Sequence, residues 1–180
     1  MESILLIGGS SSVGKTHLAR ILSERLGIQH ICVDDLRKQI NDPNLRLLER
    51  NESIWDLAAM ELLSLLFQEG LALETHVYSL INSWFLAKKS NILEGEGIVP
   101  KLASQFMVTN KVNAIFIVET DTHRLYQTLY DRGNAFQMLT EPRRQRIAEM
   151  NSLYGRWLLS EAEHYDLPWL PSQPWSSLPD

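Results

Sequence analysis

The run Gly9-Ser10-Ser11-Ser12-Val13-Gly14-Lys15-Thr16 constrains this chain more than any other feature. It fits G-x-x-x-x-G-K-[ST] at every fixed position. An apolar run from Ser3 to Ile7, ending at Gly8-Gly9, precedes it and reads as a buried strand. After it, Leu18, Ile21, Leu22 and Leu26 keep helical spacing until Gly27. A strand, a tight glycine-rich turn and a helix start form an anion cradle. Small residues let the backbone curl, its N–H groups point inward, and the helix N-terminus adds positive potential. In that setting Lys15 reaches the outer phosphates of a nucleotide and the Thr16 hydroxyl ligates Mg²⁺. The bland alternative is a Gly/Ser-rich turn that binds nothing, and the strand-to-helix context argues against it.

Strand and helix signals alternate along the rest of the chain. His30 to Val33 reads as a second strand, with Asp34 or Asp35 able to cap a following helix. Residues 53–89 are mostly helical, with an interruption expected near Gly70. Asn91 to Leu93 and Val112 to Val118 are further strands. A helix runs from Asp121 to Arg132, closed by Gly133. Another starts at Thr140-Glu141-Pro142 and puts Ile147, Met150, Tyr154 and Leu158 on one stripe. Leu167 to Leu170 is a last short strand, followed by a proline-rich tail. The pattern predicts one α/β domain over residues 1–180 with a parallel, doubly wound sheet. A helical insert of about residues 44–90 and a lid of about residues 133–142 are expected to complete it.

Composition removes several function classes. With 17 basic and 22 acidic residues the net charge is −5. That balance argues against a duplex nucleic-acid binder, which presents a basic face. The single cysteine, Cys32, excludes an intrachain disulfide and fits a reducing cytoplasm. The richest apolar stretch, Leu57 to Phe67, is broken by Glu61 and Ser64, so no membrane partner is expected. There is no N-K-x-D run of the kind that reads guanine, and the chain is short for a motor ATPase. A small-molecule kinase remains, as monomer or homodimer.

Phosphoryl transfer needs a carboxylate for the acceptor hydroxyl and one near Mg²⁺. In open parallel sheets such groups gather at the carboxyl ends of strands. Asp34, after the second strand, is the candidate base; its competing role is a helix cap, and Asp35 is able to share either. Glu94, ending the third strand, is the candidate for Mg²⁺ water or acceptor positioning, against a plain turn residue; Glu96 is a weaker rival. Arg37, three residues past Asp34, suits an anionic substrate group or a solvated surface. Arg132 shares a face with Leu125 and Leu129, and Arg143 extends the inner stripe of the last helix. Both are candidates to neutralise the transferring phosphoryl from the lid's two ends. Arg144 and Arg146 are expected to be solvated. Glu61 interrupts an apolar stripe and is expected to be paired or at an edge. His76 reads as a packing histidine, Cys32 as inert, and Trp169 and Trp175 as packing residues.

Three blocks together resemble phosphate-loop kinases of the 2-phosphoglycerate kinase type. The first is Ile7 through Thr16 running on to Arg25-Leu26-Gly27-Ile28. The second is Ile31-Cys32-Val33-Asp34-Asp35-Leu36-Arg37, with Asp34 and Arg37 at matching places. The third is Asn91-Ile92-Leu93-Glu94-Gly95 with Ile98-Val99-Pro100. Gly97 stands where that family has a histidine, and Val33 where it has a threonine. The second and third blocks are also similar to chloramphenicol phosphotransferases and zeta-type toxin kinases. The resemblance implies a five-stranded parallel sheet in order 2-3-1-4-5, a lid, and ATP with Mg²⁺ as phosphoryl donor. It implies a small hydroxyl-bearing acceptor. A toxin-like kinase of a nucleotide sugar and a non-catalytic ATP-binding regulator are the rival readings.

Overall fold

The computed structural model describes residues 3–107, 112–133 and 135–172. Five strands form one sheet: β1 (Ile4–Gly9), β2 (Gln29–Cys32), β3 (Asn91–Gly95), β4 (Val112–Val118) and β5 (Trp169–Pro171). All pairings are parallel and the order is β2-β3-β1-β4-β5. The helices are α1 (Lys15–Leu26), α2 (Val33–Gln39), α3 (Ala59–Leu86), α4 (Pro100–Met107), α5 (Thr122–Asp131), α6 (Ala135–Met138) and α7 (Glu141–His164). Two 3₁₀ segments, Pro43–Glu49 and Glu52–Asp56, lead into α3. Among the described residues no helix is long and apolar enough to cross a membrane.

Because successive strand residues point to opposite faces, each central strand feeds two cores. Ile7, Ile92 and Ile117 join Leu18 and Ala19 of α1 and Leu125 of α5 on one face. Leu6, Leu93 and Phe116 join α3, α4 and α7 on the other, through Leu73, Leu102 and Leu158 among others. Helices therefore cover both faces, and every strand carries its carboxyl end to the same edge of the sheet.

α3 departs from the expected break at Gly70 and runs through it unbroken. A helical glycine costs about 1 kcal/mol. Leu62, Leu66, Leu73, Val77 and Ile81 on the same stripe are each at most 3% exposed, and burying one such side chain is worth about 1.5–3 kcal/mol. Packing outweighs propensity. The segment of about residues 133–142, expected to form a lid, contains α6, and Arg144 ties it down. The Arg144 guanidinium donates to the backbone oxygens of Gln137 and Leu139 and to the Tyr126 hydroxyl, and it pairs with Glu141 at 2.7 Å. Arg144 is thus an anchored clamp and not the solvated residue expected. Trp175 lies outside the described residues, as does Asn134 of the segment expected to form a lid.

One turn of α7 braces three of the loops that leave the sheet. The Asn151 side chain accepts from the Ser11 backbone N–H, after β1, at 3.0 Å. The Ser152 hydroxyl donates to the Thr120 carbonyl, after β4, at 2.6 Å. The Tyr154 hydroxyl donates to the Glu96 carbonyl, after β3. The close approach needs a glycine: a Cβ at Gly155 would lie 2.0 Å from the Glu119 carbonyl oxygen.

These two glycines predict opposite responses. Gly155→Ala should lower stability by about 1–3 kcal/mol through backbone overlap. Gly70→Ala, where a Cβ meets nothing within 4 Å, should raise it by about 0.5–1 kcal/mol. Thermal unfolding followed by circular dichroism reads both, at about 2–4 °C per kcal/mol for a chain of this size. Shifts of the same sign would contradict this packing.

Candidate active site

The phosphate loop sits where β1 gives way to α1. Gly14 precedes the helix in a left-handed conformation, φ 107°, and offers no side-chain cap. The N–H groups of the first turn of α1 have no intrahelical acceptors. Ser12 also takes a left-handed φ of 62°, a strain that persists where the surroundings enforce it. Lys15 is 8% exposed and its ammonium donates to the Ser10 carbonyl at 2.6 Å.

A cavity of about 400 Å³ opens against this loop. Ser11, Ser12, Gly14, Lys15, Thr16 and His17 form one wall. Cys32, Asp34, Glu94, Gly95, Glu96, Thr128 and Arg132 also line the cavity. Sheet register explains the central contact. Ile7 pairs with Glu94 and Gly8 with Gly95, so the end of β3 lies beside the loop. The Thr16 hydroxyl donates to Glu94 Oε1 at 2.9 Å, and His30 Nε2 lies 3.4 Å from the same oxygen. Glu94 is 1% exposed.

The other residues singled out in the sequence fall in different places. Gly9, Ser10 and Val13 do not line the cavity with their side chains. Val13 is buried with Leu18 and Ile117, and the Ser10 hydroxyl is buried without a partner among the described residues. Asp34 is in the first turn of α2 and does not cap it: the capping position belongs to Cys32. Asp34 is largely exposed, at 64%. Asp35 instead pairs with Lys38 at 2.8 Å on the surface. Arg37 lies behind Asp34, its Nη1 3.6 Å from Asp34 and 3.7 Å from Glu69. It lines an adjoining cavity of about 270 Å³ together with Asp34, Lys38, Arg46 and Glu49. Its Nε and Nη2 are buried with no partner among the described residues. It is therefore not a solvated surface arginine.

Arg132 reaches the loop, donating to the Ser12 hydroxyl at 3.2 Å. Arg143 does not. It makes a two-point contact with Asp56 at 2.8 and 2.6 Å, because the 3₁₀ segment before α3 packs against the start of α7. Arg146 reaches the same segment, with Nη1 3.4 Å from the Trp55 carbonyl and 3.8 Å from Asp56. Glu61 caps α3, accepting from the Ala58 N–H at 2.8 Å. The buried carboxylate of that helix is Glu69, which accepts from the Leu48 N–H at 2.8 Å. Sequence reasoning missed Glu69 and Asn151. Both occupy inward stripe positions, among Leu62, Leu66 and Leu73, and among Ile147, Tyr154 and Leu158. A polar residue at such a position demands a partner, and that signal was present in the sequence.

Electrostatics follow from burial. Burial raises the Glu96 carboxyl, against the pull of Lys15 and Arg37, while Asp34 raises it further. Burial likewise raises Glu69, opposed by the Leu48 N–H and by Arg37. Burial and then Glu94 push the Cys32 thiol up to about 11. At Gly97, a Cβ would lie 2.1 Å from Leu73 Cδ2. A side chain at position 97 would therefore require Leu73 of α3 to move.

The residues present fit Mg²⁺. Among the described residues no cluster of three or more His, Cys, Asp or Glu forms a metal cage. Mg²⁺ is a cation that keeps its waters and takes phosphate oxygens beside one or two protein ligands. Thr16 offers a hydroxyl and Glu94 a carboxylate next to it.

No family model matches the sequence, and no curated protein does. Solved structures do. Deoxyadenosine kinase from M. mycoides, solved with dCMP and a flexible dCDP, superposes with a TM-score of 0.54. The two chains share 12% identity, with 94% of this chain and 90% of that one covered. Shikimate kinase from Bacteroides thetaiotaomicron gives 0.48 at 14% identity, covering 94% and 86%. With its parallel sheet in the order β2-β3-β1-β4-β5, the chain has a phosphate-loop NTPase fold, and its structural neighbours include a deoxyadenosine kinase.

Two outcomes test this geometry. Removing a charge-assisted contact costs about 1.5–3 kcal/mol, so Arg132→Ala should weaken ATP·Mg²⁺ binding at least about tenfold more than Arg143→Ala does. Calorimetry reads the ratio, and equal losses would contradict the placement. Alkylation of Cys32 by iodoacetamide at pH 8 should run about 10²-fold slower than for a free thiol, because only the thiolate reacts. The rate should rise about tenfold per pH unit up to roughly pH 11. Labelling at the free-thiol rate would show that Cys32 is not held among these groups.

Proposed function

We propose that this protein is an ATP-dependent kinase that transfers the γ-phosphoryl group to a hydroxyl of a small molecule. One observation carries the reading: a single cavity is lined by the loop with Lys15 and Thr16, the buried Glu94 beside Thr16, Arg132 at the loop, and Asp34. Kinase neighbours of the same fold support it.

The roles follow from position. Lys15 and the loop N–H groups bind phosphate oxygens, and Lys15 exchanges its bond to the Ser10 carbonyl for them. Thr16, with Glu94 through water, would hold Mg²⁺; the ion supplies charge neutralisation at the phosphates. Asp34 accepts the acceptor's hydroxyl proton. The acceptor oxygen bonds to the γ-phosphorus as the bond to the β–γ bridging oxygen breaks, and ADP departs. Arg132 stabilises the moving charge. Arg37, with two buried nitrogens that have no partner among the described residues, binds the acceptor. Residue 97 contributes no side chain to the acceptor, so Arg37, Asp34 and Glu96 grip it. Activity in a reducing cytoplasm belongs to the same proposal and rests on the lone Cys32 thiol.

Asp34→Asn tests the reaction. Since Asp34 does not cap α2, the change should leave stability and ATP affinity close to wild type. It should slow transfer by about 10²-fold or more, in the range for a general base. The acceptor is found first by screening hydroxyl-bearing metabolites for ADP formation. Unchanged transfer by Asp34→Asn would remove the base from Asp34.

A further inference from the structure

We infer that Asn151 is a positioning residue for the phosphate loop, an anchor that lies outside the loop and outside the sequence motif. The inference rests on the reading of the cavity as a nucleotide site. Asn151 is 1% exposed in the middle of α7. Its amide is oriented at both ends. Nδ2 donates to the Ile147 carbonyl one turn earlier at 2.9 Å, and this turns Oδ1 toward the loop. Oδ1 then accepts the Ser11 backbone N–H at 3.0 Å. Ser11 is the third residue of the phosphate-loop run, and it lines the cavity.

This bond has a consequence for binding. The curl that points loop N–H groups at an anion includes a left-handed serine, Ser12. Left alone, such a loop relaxes. Asn151 fixes the residue just before Ser12 by its backbone, so the strained residue lies between two fixed points: Ser11 and the start of α1. The affinity of a loop that is competent only part of the time falls in proportion to the competent fraction. Asn151 also joins the loop to the helix that begins directly after the segment expected to form a lid, so that segment and the loop share one rigid support. Ser152, the next residue, is equally buried, but its hydroxyl donates to the Thr120 carbonyl after β4 and accepts from Arg156, so its hydrogen bonds go elsewhere than to the phosphate loop. It supplies the matched control.

The test compares Asn151→Ala with Ser152→Ala in the full chain. ATP·Mg²⁺ affinity is measured by calorimetry, and thermal unfolding is measured without nucleotide. Each variant loses two hydrogen bonds, Asn151 those with Ile147 and Ser11, Ser152 those with Thr120 and Arg156, and both should unfold at similarly lowered temperatures. Asn151→Ala should bind ATP·Mg²⁺ about 5- to 10-fold more weakly, the range of one net hydrogen bond. Ser152→Ala should stay within about twofold of wild type. Equal affinity losses in the two variants, or none in Asn151→Ala, would overturn the positioning role while the nucleotide site stands. Wild-type protein that binds no nucleotide would bring down the functional reading and this inference together. If Asn151→Ala does not fold, amide exchange in the wild-type protein decides. A pinned Ser11 amide should exchange at least about tenfold more slowly than that of Ser12, and equal rates would overturn the inference.

Discussion

β1 lies between β3 and β4 in parallel register, and the site depends on that placement. Parallel pairing sends the carboxyl ends of neighbouring strands to one edge. With Ile7 opposite Glu94 and Gly8 opposite Gly95, the loop after β1 and the carboxylate ending β3 are neighbours without any further device. The Thr16–Glu94 hydrogen bond follows from this register. A slip of one residue would turn Glu94 to the other face of the sheet. The two cores hold the register, since Leu6 and Leu93 must face α3 and α7 while Ile7 and Ile92 face α1.

The helices then divide the labour. α1 supplies the open N-terminus behind Lys15. α2 carries Asp34 toward the cavity and Arg37 behind it. α3 buries Glu69 next to Arg37, which leaves the arginine facing two carboxylates at a distance and two of its nitrogens without partners among the described residues. α7 is the brace: Asn151, Ser152 and Tyr154 hold the loops after β1, β4 and β3 within one turn of helix. A site assembled from loops is rigid only if something packed behind it is rigid, and here that element is α7.

The strand and helix pattern was legible in the sequence, whereas the strand order followed only from the resemblance to phosphate-loop kinases, and the sheet has that order. Strands β1, β3 and β4 were found as short apolar runs bounded by glycine or turn residues, and α1 by its spacing. The phosphate loop was legible because a local motif encodes it. What escaped depended on tertiary packing. Gly70 reads locally as a break, yet α3 crosses it because leucines on either side are buried. Arg143 shares a helical face with Ile147 and points inward by that measure. The partner it meets, Asp56, comes from a segment whose path no local rule predicts. Arg144 looked solvated because its acceptors are backbone carbonyls of the expected lid segment, and these leave no trace in residue identity. Glu69 and Asn151 were within reach, since each is a polar residue on an apolar stripe.

The central claim is that the phosphoryl group leaves ATP for a small hydroxyl compound. The most direct measurement follows the γ-phosphorus of ATP·Mg²⁺ by phosphorus NMR, with the protein and pools of hydroxyl-bearing metabolites. The account predicts a new phosphate-ester resonance that grows in step with ADP and requires both protein and one pool. ADP accompanied only by inorganic phosphate in every pool, or no ADP at all despite bound nucleotide, would contradict it.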